Sequence, residues 1–469
     1  MTKTHFIGIG GTGLSAIARL LHESGYEVTG SDRQGSSYVD NLRKMGIKVY
    51  IGHKAEQIGE ADFIVRSSAI PDTNVEVIEA RERDIPVYKR ADFLGSLMED
   101  KIGIAIAGTH GKTSTTAMLA WTLTELGQDP SFIVGSPVNK MGVNAHAGKG
   151  KTFVIEADEY DRMFLGLKPK IGIITNLEHD HPDIYPTAES FREAFVDFVK
   201  LIPQDGALIA CGDDKGAVEM LEKARRMKID TVSYGFSNQL SVNSNQWLVA
   251  EDLVPNSRGG YNCTCILHRL QTCQPDNSQI FKLSLEVPGK HNILNALAVM
   301  CVIHQLDLPL DASAEALGRF AGTGRRFDLL ALVNGIAIYD DYAHHPTEIR
   351  ATLSAARARH PESRIWAVWQ PHTYSRTKLL FDEFAKAFDD ADEVIISEIY
   401  KSREPKEDFS SVEVLKTMTH PSAKFIAELE DISRYLLENL RPNDVLLVLS
   451  AGDANEINLK VLKGLKAKA

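Results

Sequence analysis

The chain has 469 residues, of which 43% are hydrophobic and 25% charged, and its net charge is −11 at pH 7. This length predicts about three domains of roughly 150 residues each, and the composition is that of a globular protein. The negative charge excludes a general surface for nucleic acid or anionic membranes, but it does not exclude local basic loops that bind small anions.

The cysteines and the N-terminus predict a cytoplasmic protein. Five cysteines are an odd number in a long chain, so we expect no disulfide framework. The first residues, MTKTHFIGIG, lack the segments of a signal peptide, and no apolar run approaches the roughly 20 residues of a membrane span. Zinc bound by Cys263, Cys265, His268 and Cys273 is an alternative, but the segment alternates like a strand and has no CxxC pair.

Strands and helices alternate along the first hundred residues. HFIGIG predicts a buried strand, and Leu14, Ile17 and Leu21 predict a helix after it. Further strands are predicted at YEVTGSD, ADFIVRSSAI and IPVYKRADF. This alternation predicts parallel βαβ units, so we assign residues 1–97 to a first α/β domain.

Two more α/β domains are predicted, at residues 98–320 and 321–469. KIGIAIAGTHGKTST begins the second with a strand, a loop and a helix, and KTFVIEADE and KIGIITNLEHDH are further strands. Residues 235–282 read as an irregular or β-rich excursion, and EVPGKHNILNALAVMCVIHQL as a helix. The strands of the third domain are predicted at GIAIYDDY, RIWAVWQ, DEVIISEIY, KFIAE and DVLLVLSAGD.

The segment GTHGKTST, at Gly108–Thr115, follows an apolar strand and is typical of a shortened phosphate loop. Its glycines allow a close backbone approach, and the amides at the helix start point at anionic oxygens. In such a loop Lys112 reaches the β- and γ-phosphates and the Thr113 hydroxyl holds Mg²⁺. The alternative is a plain helix start that happens to contain GKT.

A second glycine loop, GIGGTG at Gly8–Gly13, also lies between a strand and a helix. Asp32 follows 19 residues after Gly13, as in the dinucleotide fingerprint, where such an acid binds a ribose hydroxyl. An NAD-dependent dehydrogenase is the default interpretation, but a UDP-sugar has the same pyrophosphate and ribose. A dehydrogenase has no need for the phosphate loop, and a non-catalytic nucleotide switch has no need for the first loop. A ligase that joins a nucleotide-linked acid to an amine, driven by ATP, needs both.

Acidic and histidine residues end two strands of the second domain, in EADEYD and NLEHDHPD. An acidic loop that faces a phosphate loop would repel the substrate unless cations lie between them. We therefore predict Glu156 and His181 as metal ligands, with a solvated acidic loop as the alternative.

These segments resemble the Mur ligases of peptidoglycan synthesis, whose ATPase series is GTHGKTS, EADE and the histidine of DHPD. GIGGTGLSAIA, PGKHNILNALA, GRRFD, DDYAHHPTEI, QPHTYSRT and LSAGD extend the resemblance over essentially the whole chain. They are most similar to the branch that adds L-alanine, and the absence of lysine between Pro182 and Val199 fits that branch. The implied fold is a Rossmann-like N-terminal domain, a central P-loop ATPase domain and a Rossmann-like C-terminal domain.

The resemblance also implies roles for individual residues. Those for the UDP part of the acceptor are Gly10, Gly11, Thr12, Gly13, Asp32, Ser67 and Ser68. Those for ATP are Gly108, Thr109, His110, Gly111, Lys112, Thr113, Ser114, His291, Asn292, Asn295, Arg326, and Asp340 or Asp341. Those for magnesium are Thr113, Glu156 and His181. The residues expected where the substrates react are Lys112, His181, His344, His345, His372, Tyr374 and Arg376.

Two of these assignments have plain structural alternatives. His344 and His345 could simply cap a helix that begins near Thr347, and Arg376 could pair with a surface acid such as Asp382.

The reaction implied by the resemblance is ATP-driven amide formation. The lactyl carboxylate of UDP-N-acetylmuramate attacks the γ-phosphoryl group, and the amine of L-alanine then attacks the acyl phosphate, with His345 or His372 taking the proton. The expected cofactors are ATP and Mg²⁺, the partners are these small molecules, and the protein is expected to be a monomer or a homodimer. The nearest alternative is a recycling ligase that attaches a preformed tripeptide to the same acceptor.

Overall fold

Three β-sheets follow one another along the chain, each with helices packed on it. The computed structural model describes residues 1–236, 244–269 and 278–467. The three sheets confirm the predicted α/β class. The exact domain boundaries, at 97/98 and 320/321, stay predictions.

The first sheet has the strand order β3-β2-β1-β4-β5, and all of its pairs are parallel. The strands are β1 Lys3–Ile7, β2 Glu27–Asp32, β3 Lys48–Ile51, β4 Phe63–Arg66 and β5 Val87–Lys89, and the helices are α1 Thr12–Glu23, α2 Ser37–Lys44, α3 Val75–Glu82 and α4 Arg90–Leu94. The direction in which successive strands are added to the sheet reverses between β1 and β4. Ligands bind at such a switch point in open parallel sheets. The predicted strand IPVYKRADF is correct only at its start, because Arg90 begins α4.

The second sheet has ten strands in the order β15-β14-β13-β12-β11-β10-β6-β9-β7-β8. They are β6 Ile102–Ala107, β7 Ser131–Val138, β8 Val143–His146, β9 Thr152–Glu156, β10 Ile171–Ile174, β11 Ala207–Cys211, β12 Asp230–Gly235, β13 Gln246–Pro255, β14 Tyr261–Arg269 and β15 Gln279–Ser284. The helices are α5 Lys112–Glu125, α6 Ala188–Lys200, α7 Lys215–Arg226, α8 Lys290–Gln305 and α9 Leu310–Gly318. The central strands are parallel and fully buried, and β13, β14 and β15 form an antiparallel extension that confirms the predicted β-rich excursion.

The third sheet has the order β16-β17-β21-β18-β19-β20 and is parallel except for the β16–β17 pair. The strands are β16 Asp328–Val333, β17 Ile336–Asp341, β18 Ile365–Gln370, β19 Glu393–Ile396, β20 Ala423–Phe425 and β21 Val445–Ser450. The helices are α10 Pro346–Arg359, α11 Tyr374–Leu379, α12 Phe381–Phe384, α13 Val412–Thr417, α14 Leu429–Asn439 and α15 Glu456–Ala467. The five strands predicted here are all present.

The first sheet is joined to the second by close backbone packing. A Cβ atom placed on Gly166 would lie 2.0 Å from the carbonyl oxygen of Ala91, so α4 lies directly on the turn Tyr160–Gly166. This turn follows the acidic segment at the end of β9. Because the Arg90 side chain of α4 also lies against Gly13, α4 contacts both the first glycine loop and this turn.

The cysteine segment lies in β14. Cys263 and Cys265 point to the same buried face, with their sulfur atoms 3.9 Å apart, while His268 stacks on Trp247. Cys273 lies outside the described residues. Over the described part of the chain, no helix is long and apolar enough to span a membrane.

Candidate functional site

The loop between β6 and α5 has the backbone of a phosphate loop. Gly108 and Gly111 have positive φ angles of 131° and 82°, which only glycine adopts without strain. A Cβ atom on Gly108 would lie 2.1 Å from the Thr175 hydroxyl, and one on Gly111 would lie 2.6 Å from Asn295. Both glycines are therefore required by packing as well as by conformation.

Lys112 begins α5 and bends back over this loop. Its Nζ donates to the Gly108 and Thr109 carbonyls at 2.6 and 3.1 Å and to Glu159 Oε1 at 2.8 Å. Burial alone would lower the pKa of Lys112, but Glu159, Asp158 and Glu156 raise it above its ordinary value. Lys112 is therefore a fixed cation at the mouth of the phosphate loop.

Thr113 and Glu156 form the second polar pair at this loop. The Thr113 hydroxyl donates to Glu156 Oε1 at 2.9 Å, and the Gly135 amide donates to Glu156 Oε2 at 2.7 Å. Burial raises the pKa of Glu156, and Lys112 opposes this effect. A hydroxyl and a carboxylate side by side are the oxygen donors that Mg²⁺ prefers, so these residues fit the ion expected here.

Glu159 connects this group to His181. Its Oε1 lies 3.6 Å from His181 Nε2, and its Oε2 is buried without a hydrogen-bond partner among the described residues. Burial would raise the pKa of Glu159, but Lys112 and His181 hold it below the ordinary value. His181 has a positive φ of 54°, and its pKa is raised by Glu159 and Asp180 despite burial. An ionised carboxylate with a free oxygen thus lies beside the predicted metal ligands.

Arg376, at the start of the third sheet's helix α11, crosses to the second sheet. Its Nε donates to Asp180 Oδ1 at 2.9 Å, and both side chains are buried. The alternative pairing with Asp382 is therefore wrong. Arg376 also donates to His372 Nδ1 at 3.1 Å, and His372 stacks on Tyr400 and lies edge-on to His344. The predicted substrate-meeting residues of the third domain thus lie against the segment of the second that contains the predicted metal ligand His181.

The two histidines of the HHP segment have different surroundings. His345 is the N-cap of α10 and accepts from the Thr347 amide at 3.3 Å, as the helix-cap alternative predicted. Its ring also lies 4.7 Å from that of His110. Burial lowers the pKa of His344 to about 3, and burial together with the nearby His110 lowers that of His345 to about 4. Both imidazoles are therefore neutral at pH 7.

His110 lies between two carboxylates. Its Nε2 is 2.9 Å from Glu178 Oε2, and its Nδ1 is 3.3 Å from Glu348 Oε1. Burial would lower the pKa of His110, but Glu178 and Glu348 raise it to about 9. Glu178 follows a strand of the second sheet, and Glu348 lies in a helix beside the third sheet. His110 therefore links these two parts of the chain through its two carboxylate contacts.

A cavity of about 520 Å³ opens beside the phosphate loop, between the second and third sheets. The predicted ATP residues on its wall are His110, Gly111, Thr113, Ser114, His291, Asn292, Asn295, Arg326 and Asp341. Phe320, Phe327 and Leu329 form an apolar part of the wall that could hold a planar base. The cavity thus joins an apolar end to the phosphate loop, the arrangement that a nucleoside triphosphate needs.

The two candidate ribose ligands differ in position. Asp341 lines the cavity, but its two oxygens accept from the amides of Phe327 and Ala343, both at 2.7 Å. Burial raises its pKa to about 6. Asp340 is not on the cavity wall and lies 3.3 Å from Arg325. Asp341 therefore holds the loop shape, and of the two it is the one within reach of a bound nucleotide.

The first glycine loop is held by Asp32. Its Oδ2 accepts from the Gly10 amide at 2.8 Å, and Ser67 packs against Gly8. A Cβ atom on Gly13 would lie 2.4 Å from the Arg90 guanidinium, whose Nε is buried without a partner among the described residues. A cation with an unused donor therefore lies at the N-terminus of α1, where anions bind.

Several residues of the site carry no assigned role from the sequence: Arg90, Glu159, Glu178, Asp180 and Glu348. Glu159, Glu178 and Asp180 stand inside the quoted segments EADEYD and NLEHDHPD, so their position at strand ends was visible. The remaining two depend on contacts between segments far apart in the sequence.

Family models match this chain over three consecutive stretches: "Mur ligase family, catalytic domain" at residues 3–102, "Mur ligase middle domain" at 106–303 and "Mur ligase, glutamate ligase domain" at 325–452. The chain belongs to the Mur ligase family.

Individual relatives are similar over nearly the full length. UDP-N-acetylmuramate–L-alanine ligase of Geobacter sp. (strain M21) is 40% identical over 99% of this chain and 98% of its own, and that of Trichlorobacter lovleyi is 41% identical over 96% of each. Among solved structures, UDP-N-acetylmuramate–alanine ligase of Thermotoga maritima has a TM-score of 0.79 at 28% identity, with both chains fully covered. A murein peptide ligase of Psychrobacter arcticus has a TM-score of 0.69 at 25% identity, with 99% of each covered.

Proposed function

We propose that this protein joins L-alanine to the lactyl carboxylate of UDP-N-acetylmuramate, with conversion of ATP to ADP and phosphate, in peptidoglycan precursor synthesis. The observation that carries this proposal is the 40% identity over 99% of the chain to a ligase of that name. The cavity beside the phosphate loop supports the ATP part, because it joins an apolar wall to Lys112 and Thr113 through the loop itself.

In this proposal the lactyl carboxylate attacks the γ-phosphoryl group of ATP at the phosphate loop. Lys112 places its charge on the transferred phosphoryl group, and the loop amides hold the neighbouring oxygens. Thr113, Glu156 and His181 would hold Mg²⁺, which would supply the remaining positive charge. The Lys112–Glu159 contact at 2.8 Å supports this role. Before ATP binds, the Glu159 carboxylate holds Lys112 in place, and the phosphate of ATP then displaces that carboxylate.

The amine of L-alanine then attacks the acyl phosphate near the boundary of the second and third sheets. His345 and His372 remain the two candidates for the group that accepts the ammonium proton, and each would first give up a hydrogen bond at Nδ1, from the Thr347 amide and from Arg376 respectively. Burial and Arg376 lower the pKa of His372 to about 4, so its imidazole is neutral at neutral pH. The buried Arg376–Asp180 pair supports closure of the third domain, which keeps water from the acyl phosphate.

The first glycine loop is proposed to hold the UDP part of the acceptor. Gly10, Gly11, Thr12 and Gly13 supply amides at the start of α1, and Arg90 adds a cation to the residues predicted from the sequence. Asp32 also holds Gly10 in place through Oδ2, and its contact with the ribose stays a prediction.

The test is the release of phosphate from ATP with each substrate omitted in turn, followed by mass spectrometry of the product. The proposal requires UDP-N-acetylmuramate and L-alanine together, with one amide formed for each phosphate released. Activity only with a preformed tripeptide would establish the recycling ligase instead. ATP hydrolysis that ignores both substrates would point to a nucleotide switch.

A further inference from the structure

One group of side chains at the boundary of the second and third sheets has the composition of a transition-metal site. His110, Glu178 and His345 each offer a ligand atom, and the three atoms lie within 4.8 Å of one another. His110 Nε2 is 2.9 Å from Glu178 Oε2, which in turn is 3.8 Å from His345 Nδ1. Two ligand atoms that each bind a tetrahedral zinc ion at about 2.0–2.1 Å are separated by a distance that lies between the 2.9 and 3.8 Å found here.

The surroundings of this group also resemble those of a metal centre. The other nitrogen of His110 lies 3.3 Å from Glu348 Oε1, and the other oxygen of Glu178 accepts from the Thr347 hydroxyl at 2.9 Å. Carboxylates that orient a histidine from behind are the usual outer contacts of zinc ligands. His345 is 1% exposed, and its Nε2 has no hydrogen-bond partner among the described residues. The nitrogen that faces Glu178 is Nδ1, which accepts from the Thr347 amide at 3.3 Å, so an ion bound at this nitrogen would replace that hydrogen bond.

We propose that His110, Glu178 and His345 bind one zinc-class divalent ion between the second and third domains, at a site separate from that of magnesium. Two imidazoles and one carboxylate favour Zn²⁺ or Co²⁺ over Mg²⁺, which prefers oxygen ligands and keeps its waters. His110 and Glu178 line the nucleotide cavity, so the ion has an entry path and a fourth, exchangeable position.

The site would tie ion binding to domain closure. His110 and Glu178 belong to the second sheet, whereas His345 begins α10 of the third. A complete set of three ligands forms only when the two units lie together as in this structure. The ion would therefore hold the second and third sheets together beside the nucleotide cavity.

The experiment measures metal binding alone, without ATP or acceptor, so its outcome is independent of the proposed function. The chelator-treated full-length protein is titrated with Zn²⁺ by calorimetry and with Co²⁺ by visible absorption, in millimolar Mg²⁺. The proposal predicts one ion per chain and an intense visible Co²⁺ band typical of four-coordinate sites. Glu178→Gln and His345→Gln should each weaken Zn²⁺ binding by about 100-fold or more.

Two control variants separate this site from the other candidates. His181→Ala removes a predicted magnesium ligand, and Cys263→Ser removes a thiol of the buried pair in β14. Both should keep wild-type zinc affinity. Binding that survives Glu178→Gln, or that is lost in either control, would overturn the proposal, as would the absence of stoichiometric binding. Glu178→Gln preserves side-chain shape, and melting of the metal-free variants checks that they fold.

Discussion

Arg376 of the third domain and Asp180 of the second form an ion pair with Nε and Oδ1 2.9 Å apart, and each side chain is at most 5% exposed. Removing one partner of such a buried ion pair is costly, because the remaining charge is left without a partner and without contact to water. The pair therefore holds the ends of β10 and β18 in one arrangement. It also places His372, which Arg376 contacts, beside the segment that contains the predicted metal ligand His181.

Asp180→Asn should impair catalysis more than it impairs ATP binding. Without the carboxylate, Arg376 loses its position and His372 its orientation, so kcat should fall and KM for L-alanine should rise, with KM for ATP little changed. We also expect the free energy of unfolding to fall by about 3–5 kcal/mol. Steady-state kinetics and chemical denaturation measure both effects. Asp183→Asn, three residues along, is the matched control, and equal effects of the two variants would contradict the role of the pair.

Lys112→Ala should abolish ligation, with a loss of about 100-fold or more, because the charge of Lys112 is held on the phosphate loop itself, where the transferred phosphoryl group would lie. Binding of UDP-N-acetylmuramate should remain nearly intact, since its proposed site is on the first sheet. Calorimetric titration with the acceptor tests this. A complete loss of acceptor affinity would mean that the two glycine loops have been assigned wrongly.

Arg90→Ala should weaken acceptor binding by roughly 10- to 100-fold, the value of one or two hydrogen bonds to a charged group. The guanidinium lies against Gly13 with a buried, unused donor, which suits a diphosphate at the start of α1. Affinity for ATP should not change. Lys89→Ala removes the neighbouring exposed cation and is the control. A variant with normal acceptor affinity would show that Arg90 has only a packing role.

His181→Ala should lower kcat and kcat/KM together, with little change in KM for ATP. His181 lies near Glu159 and not on the cavity wall, while Thr113 can still contribute to nucleotide binding. Steady-state kinetics with varied concentrations of ATP and acceptor distinguish a role in the chemical step from a role in ATP binding. Wild-type kcat with a raised KM for ATP would leave His181 a structural residue.

The stability contributed by His110 should depend on pH. Its pKa in the folded protein is raised to about 9 from an ordinary value of 6.5, so the contribution is full below pH 6.5 and is lost as the pH rises through 9. In the presence of a chelator, the difference in unfolding free energy between wild type and His110→Gln should shrink steadily over that window. His22→Gln, on the surface helix α1, serves as the comparison. A difference that stays constant from pH 6 to 9.5 would contradict the bridge to Glu178 and Glu348.

The local motifs were predictable because they depend on neighbours in the sequence. Strand, glycine turn and helix start stand together in GTHGKTST, and in the structure Thr113 contacts Glu156 while Lys112 contacts Glu159 of the same acidic segment. The helix α4 was missed because IPVYKRADF was interpreted as a single strand, although the strand ends at Lys89 and Arg90 begins the helix.

The residues that contact the predicted site residues could not be predicted from the sequence in this way. Arg376 pairs with a residue 196 positions away, and Asp382, only six positions along the chain, was the nearer acid in sequence. The Glu348–His110 contact likewise joins two sheets. Such pairs depend on how the domains pack against one another, and the spacing of apolar residues within a segment gives no information about that packing.

The central claim is that L-alanine and UDP-N-acetylmuramate are joined at this site with ATP. The most direct measurement is mass spectrometry of the product after incubation with ATP, the acceptor, and equal amounts of L-alanine, L-serine, glycine and a murein tripeptide. We expect UDP-N-acetylmuramoyl-L-alanine as the main product, with one molecule formed for each phosphate released. A tripeptide adduct, or phosphate release without any amide product, would contradict it.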